Sequence, residues 1–349
     1  MAYTTIDKHT AHFNTITYTG NAASTRAITG VGFQPDILWI KNRDDSSRYH
    51  VLADAVRGTN GSGAMKLIYP NDTQAENTTD TANIKTLDSD GFTVGSDNNV
   101  NKNSNSHVAW SWKAGNSAGS SNSDGSVSAT VSANTTAGIS IVKLAKPNTN
   151  VVTVGHGLST APKFIIGKDL DTADNWTCYH HSMGNGYGIY LNGTNAEASA
   201  SSFWNSTSPT NQVFTLGSDN TWNSPSLVFY CFAEVPGFSK IGEFRGNETS
   251  DNAFVYTGFK PSFVLIKNFH GINNWMLFDN KRDGYNPDND ALHSNTADSE
   301  QTDDEIDIVS NGFKIRNSNQ ETGHNGHRYL FIAFGQSLTG SNNVPATAR

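Results

Sequence analysis

Short apolar runs separated by turn-forming residues set the pattern of this chain. One kind follows a proline closely: Ile37-Leu38-Trp39-Ile40, Phe164-Ile165-Ile166 and Phe263-Val264-Leu265-Ile266. Another kind is Val108-Ala109-Trp110-Ser111-Trp112, Val228-Phe229-Tyr230-Cys231-Phe232 and Leu330-Phe331-Ile332-Ala333-Phe334. Runs this short, rich in β-branched and aromatic residues, predict strands buried on both faces rather than helices. Asn-Gly, Asp-Gly and Ser-Asp-Asn clusters fall between runs at hairpin spacing. Helical signals are confined to Asp54-Ala55-Val56-Arg57 and Asp298-Ser299-Glu300. The expected fold class is all-β.

Self-comparison gives the chain an internal repeat. The stretch Phe33-Gln34-Pro35-Asp36-Ile37-Leu38-Trp39-Ile40-Lys41-Asn42 recurs as Ala161-Pro162-Lys163-Phe164-Ile165-Ile166-Gly167-Lys168-Asp169, and again as Phe259-Lys260-Pro261-Ser262-Phe263-Val264-Leu265-Ile266-Lys267-Asn268. A second anchor, Asn71-Asp72-Thr73-Gln74-Ala75-Glu76, matches Asn192-Gly193-Thr194-Asn195-Ala196-Glu197 and, more loosely, Asn295-Thr296-Ala297-Asp298-Ser299-Glu300. A third, Gly91-Phe92-Thr93-Val94-Gly95-Ser96-Asp97-Asn98, matches Phe214-Thr215-Leu216-Gly217-Ser218-Asp219-Asn220 and, in part, Gly312-Phe313-Lys314-Ile315. The closing apolar runs are the fourth. The order of anchors predicts three tandem β-sandwich, jelly-roll-like units at 13–115, 131–237 and 238–338. Residues 1–12 read as an attachment arm ordered only against a partner, and 339–349 as a tail. The Gly/Ser-rich 116–130 reads as a flexible linker on which the first unit pivots. The short join Val235-Pro236-Gly237-Phe238 should couple the other two rigidly.

Composition narrows the function. Charged residues are 16% of the 349 and the net charge is -8, against roughly 25% charged in ordinary soluble domains. The polarity is neutral, carried by Asn, Ser, Thr and Gly. An acidic chain argues against phosphate-neutralising nucleic-acid binding and against docking on anionic membranes. No apolar window approaches the about 20 residues of a spanning helix, so membrane insertion is not expected. Met1-Ala2-Tyr3-Thr4-Thr5-Ile6-Asp7-Lys8 has no basic region leading into an apolar core, so no secretory signal is expected. Cys178 and Cys231 lie in apolar runs and read as buried thiols.

The repeat columns also sort the conspicuous side chains. Trp39, Trp110 and Trp112 fall in apolar columns and read as core. Tyr49, Trp176 and Trp275 share a column, each eight residues after its lysine. Trp204 and Trp222 lie in polar surroundings, and Trp222 matches Val100 and Glu321, so nothing in the columns calls for an aromatic there. With Asn205 and Asp219 they form the candidate glycan site, rings stacking on sugar C–H faces and amide or carboxylate bonding hydroxyls. Catalytic motifs are absent: no Gly-x-Ser-x-Gly, His-Glu-x-x-His or Walker loop occurs. His180-His181 stands where the other copies have Asp54-Ala55 and Asp279-Asn280. The Asp303-Asp304-Glu305-Ile306-Asp307 run reads as a solvated acidic turn rather than a Ca²⁺ loop. His324 and His327 lack further ligands nearby for a metal. Neither an enzyme, nor a cofactor, nor a metal is expected.

Three strings resemble a domain common in structural proteins of tailed bacteriophages, especially marine phages and cyanophages. They are Gly32-Phe33-Gln34-Pro35-Asp36-Ile37-Leu38-Trp39-Ile40-Lys41-Asn42-Arg43, Ser89-Asp90-Gly91-Phe92-Thr93-Val94-Gly95 and Val108-Ala109-Trp110-Ser111-Trp112-Lys113-Ala114-Gly115. Tyr230-Cys231-Phe232-Ala233-Glu234-Val235-Pro236-Gly237-Phe238-Ser239-Lys240 resembles the tandem join of that family. The resemblance implies a virion protein, a tail-fibre or spike subunit active in host adsorption, partnered by other virion proteins and by a host-surface glycan. It carries no site residue. A homotrimer is the expected state for a fibre. Capsid decoration and a glycan-degrading spike are the alternatives.

Overall fold

The computed structural model describes residues 4–115, 118–146, 148–282, 286 and 288–337, with the side chains of 288–289 and 303–305 outside the description. The expected tail 339–349 therefore lies outside it, whereas the acidic run 303–307, expected as a solvated turn, lies within a strand, Gln301–Val309, where Asp307 is buried and pairs with Arg316. The fold is all-β, built from several antiparallel sheets. The first third of the chain holds β1 (Phe13–Thr19), β2 (Arg26–Thr29), β3 (Ile37–Asn42), β4 (Val51–Asp54), β5 (Ile84–Asp88), β6 (Gly91–Val94) and β7 (Ser106–Trp112). The middle third holds β8 (Ser120–Asn122), β9 (Ala129–Asn134), β10 (Ile139–Lys146), β11 (Val152–Gly155), β12 (Phe164–Asp169), β13 (Thr177–His180), β14 (Tyr187–Tyr190), β15 (Ala198–Ser199), β16 (Val213–Leu216) and β17 (Ser224–Phe232). The last third holds β18 (Ser239–Arg245), β19 (Phe254–Tyr256), β20 (Phe259–Asn268), β21 (Trp275–Asp279), β22 (Asp288–His293), β23 (Gln301–Val309), β24 (Gly312–Ile315) and β25 (Arg328–Ser337). Single-turn helices α1 (Asn98–Asn101) and α2 (Ser201–Trp204) lie elsewhere than the two sequence candidates.

A four-stranded sheet runs β1-β7-β3-β4, and two eight-stranded sheets run β15-β14-β13-β12-β17-β10-β9-β8 and β18-β25-β20-β21-β22-β23-β24-β19. Smaller sheets are β2-β6-β5 and β11-β16. Each proline-led strand pairs in matching register with the closing strand of its own third: Ile37 with Trp112, Phe164 with Phe232, and Phe263 with Phe334.

Side-chain alternation along these strands divides two cores. Ile37 and Trp39, Phe164 and Ile166, and Phe263 and Leu265 all join one apolar cluster that also takes Trp112, Phe232 and Phe334. Their alternates face three separate clusters: Leu38 and Ile40 meet Ile28 and Phe92, Ile165 meets Phe214, and Val264 and Ile266 meet Val255 and Phe313. The large sheets thus turn one face to each other and the other face outward onto local cores. Where they meet, Trp39, Trp112, Phe164, Trp176, Phe232 and Phe334 help line an apolar void of about 30 Å³.

This shared core corrects the expected hinge: the first third is packed against both others. Residues 118–130 are likewise not a free linker. They supply β8 and the start of β9, which pair with each other, and Val127 forms a parallel bridge to Val154 on the edge of β11. The start of the chain is corrected as well. Ile6 is buried in the shared core, and His9 bonds Gln336 Oε1 through its backbone amide at 3.1 Å, with its ring 3.0 Å from Ser262 Oγ. Phe13 stacks on Phe334 with ring centroids 5.5 Å apart. Residues 4–13 form a strap across the last third of their own chain.

Candidate contact surface

Trp204 and Trp222, expected as exposed sugar platforms, are 2% and 0% exposed. Their centroids lie 5.5 Å apart in the local core of the middle third, and Trp222 Nε1 donates to the Phe203 carbonyl at 2.8 Å. The reason is a size exchange. Register puts Gly167 where the other thirds have Ile40 and Ile266. A Cβ on Gly167 would lie 2.8 Å from the Trp222 ring and 2.5 Å from that of Phe229. The missing side chain makes room for an indole where the first third has the smaller, also buried Val100. Asp219 is a helix cap, accepting from Thr221 N at 3.1 Å as Asp97 accepts from Asn99 N at 2.7 Å. Asn205 is exposed and ends α2 in the left-handed region, φ 51°. The four residues do not compose an open site.

The exposed aromatic pair is elsewhere. Phe254 and Tyr256 are 49% and 59% exposed on β19, an edge strand, with inward Val255 buried between them. Pairing with Lys314 and Gly312 aligns these positions with Ala27 and Thr29, which pair with Thr93 and Gly91, and with Thr153 and Gly155, which pair with Thr215 and Val213. The fold accepts small residues at both places, so the two rings answer to no packing need. Sequence reading passed over them because a single Phe-x-Tyr looks like any half-buried strand. The signal available was the alternation against small residues in the other two thirds. On β11 the same edge is covered by 126–127, whereas no bridge outside the named strands touches β19 among the described residues. Two rings on an uncovered edge offer flat apolar area beside backbone hydrogen-bonding groups.

Behind the surface, matched side chains tie the thirds together. Register corrects the aromatic column: His50, not Tyr49, corresponds to Trp176 and Trp275, because the first third has one more residue in the preceding loop. Each backbone amide here is accepted by an anchor asparagine: Asn71, Asn192 and Asn295 at 2.8–2.9 Å. Each ring reaches another third. Trp176 Nε1 donates to the Tyr69 carbonyl at 3.0 Å, Trp275 Nε1 to the Tyr190 carbonyl at 2.9 Å, and His50 Nε2 lies 3.0 Å from the His293 carbonyl. Trp39 Nε1 donates to His50 Nδ1 at 2.8 Å, which leaves the proton on Nε2. Burial holds His50 well below its ordinary value, so it stays neutral.

The anchor lysines are fully buried as well. Lys41 donates to the Ala297 carbonyl at 3.0 Å, Lys168 to the Asp169 carbonyl at 2.6 Å, and Lys267 to the Thr194 carbonyl at 3.3 Å. Burial pushes them down to about 8, 8 and 7. Cys178 and Cys231 are buried, and burial raises both thiols. Among the described residues no three His, Cys, Asp or Glu side chains group as metal ligands, and no helix is long and apolar enough to cross a membrane.

A family model described as a domain of unknown function (DUF7483) matches residues 8–337, and the chain belongs to that family. No curated protein matches the chain.

Proposed function

We propose that this family member is a structural protein of a tailed-bacteriophage particle, a tail-fibre or spike subunit whose work is to hold position and touch a surface. In this reading its body is three tandem β-sandwich units descended from one module copied twice. The observation that carries it is the recurrence, third by third, of strand pairing, asparagine cap, buried lysine and cross-third aromatic around one shared core. That arrangement spends the chain's chemistry on mutual fixation. It suits a rigid, sparsely charged scaffold made in one compartment and used outside it. The resemblance of the proline-led strings to phage structural proteins supports the same reading. As a fibre subunit it would assemble as a homotrimer. The contact face is the β19 edge with Phe254 and Tyr256, facing a host-surface glycan or a neighbouring virion protein.

The test is location on purified particles by cryo-EM with a chain-specific antibody fragment. Density at the tail is expected. Density on the shell would replace the fibre by a decoration protein, and absence from the particle would overturn the proposal. Incubation with host surface polysaccharide should release no new reducing ends; their release would make it a glycan-degrading spike. Phages carrying Phe254→Ser with Tyr256→Ser should adsorb more slowly, and unchanged adsorption would remove β19 as the contact.

A further inference from the structure

Three seams join the thirds, and their chemistry differs in a matched way. At the seam of first and middle thirds, the Tyr230 hydroxyl donates to Asp54 Oδ2 at 2.6 Å, and Asp54 is bonded by Arg57, which also reaches Glu76 at 3.1 Å. At the seam of last and first thirds, Trp110 Nε1 donates to Asp279 Oδ2 at 2.9 Å. Asp279 accepts from Arg282 Nε at 2.7 Å, and Arg282 reaches Glu300 at 3.2 Å. Both aspartates are fully buried. Strand register makes Trp110, Tyr230 and Ile332 equivalent, and likewise Asp54, His180 and Asp279. At the remaining seam the closing strand offers Ile332, which has no proton to give. There the acceptor is absent too: His180 replaces aspartate, Met183 replaces arginine, and the His180 ring lies 3.4 Å from the Phe331 carbonyl. Glu197, equivalent to Glu76 and Glu300, lies 3.9 Å from the His270 ring, and burial lowers that imidazole, so no guanidinium faces it as Arg57 and Arg282 face their glutamates.

We infer that these residues are positioning keys: a donor on the closing strand of one third and an Asp-x-x-Arg acceptor on another specify which thirds meet. Each buried aspartate takes two backbone amides and an arginine from its own third, and the donor across the seam completes that set. The donor-less seam is the one that the short Val235-Pro236-Gly237 join already fixes covalently. Donor and acceptor must therefore change together, which is a claim about pairs and not about burial alone.

The experiment uses the full chain and thermal unfolding. His180→Asp with Met183→Arg places an acceptor opposite Ile332 and should lower Tm by roughly 5–10 °C. Adding Ile332→Tyr supplies the donor and should recover at least half of that loss. No recovery overturns the key. Should the unmatched variant fail to fold, a cycle at the first seam decides. Tyr230→Phe should lower Tm in the native chain and leave it nearly unchanged in the Asp54→Ala background, which offers the hydroxyl no acceptor. Equal losses in both backgrounds would reduce Tyr230 to packing and sink the inference.

Discussion

Two aromatic pairs in this chain look alike on paper and behave oppositely. Trp204 and Trp222 sit among Ser, Asn and Asp yet are buried; Phe254 and Tyr256 sit on a strand yet face water. A variable column does not mean an exposed one. The middle third fills that column with a large ring and pays with Gly167 on the neighbouring strand, so the volume is nearly conserved while both residues change. The exposed pair shows the reverse: a column small in two thirds and large in one, with the Phe254 ring beside Gly312, a glycine that the first third also has, as Gly91, without any ring over it. Exposure is legible only when a size change lacks its compensating partner.

The comparison can be broken most easily at the buried pair. Trp222→Ala should destabilise by about 3–5 kcal/mol, as truncations of large buried rings do, with a matching fall in denaturant midpoint. A change within 0.5 kcal/mol would return the indole to the surface. Next comes the glycine. Gly167→Ala should cost about 1–3 kcal/mol by overpacking, and clearly less when Trp222→Val relieves the site; equal costs in both backgrounds would deny the exchange.

Charge in the interior gives a third, pH-resolved check. Burial lowers Lys267 to about 7 from 10.5. Above pH 7 the unfolded chain therefore holds a proton the folded chain has given up, and stability should rise between pH 7 and 9. Lys267→Met should flatten part of that rise in urea titrations, and an unchanged slope would put the ammonium in water. Smallest of all, Phe254→Ser with Tyr256→Ser should move stability by no more than about 0.5 kcal/mol. A loss of several kcal/mol would show rings with a packing role after all.

Much of the strand content was readable because buried strands announce themselves by short β-branched and aromatic runs. The Pro-to-Lys anchors, the Asn-led anchors and the closing runs all mark elements that recur in register. What the residues did not disclose was how the thirds lie against one another. Trp39 and Ile40 are adjacent apolar letters, yet one faces the shared core and the other a local one. The Gly/Ser composition of 116–130 suggested slack chain, but small residues also permit close approach: a Cβ on Gly125 would lie 2.2 Å from the Thr153 carbonyl oxygen. Residues 4–12 look like an arm because their only large apolar side chain is Ile6, and one anchor is enough when Gln336 and Ser262 bond His9. The polar neighbours of Trp204 and Trp222 read as surface because a glycine inside a strand motif, Gly167, does not announce the room that its missing side chain leaves for an indole.

The strap has one more consequence. A Cβ on Gly237 would come within 2.9 Å of Thr4 and 3.1 Å of Ser337, so the described chain enters and leaves the body at one place, beside the join of the middle and last thirds. A loop of thirds whose ends adjoin can be reopened at another junction and sealed at the old one.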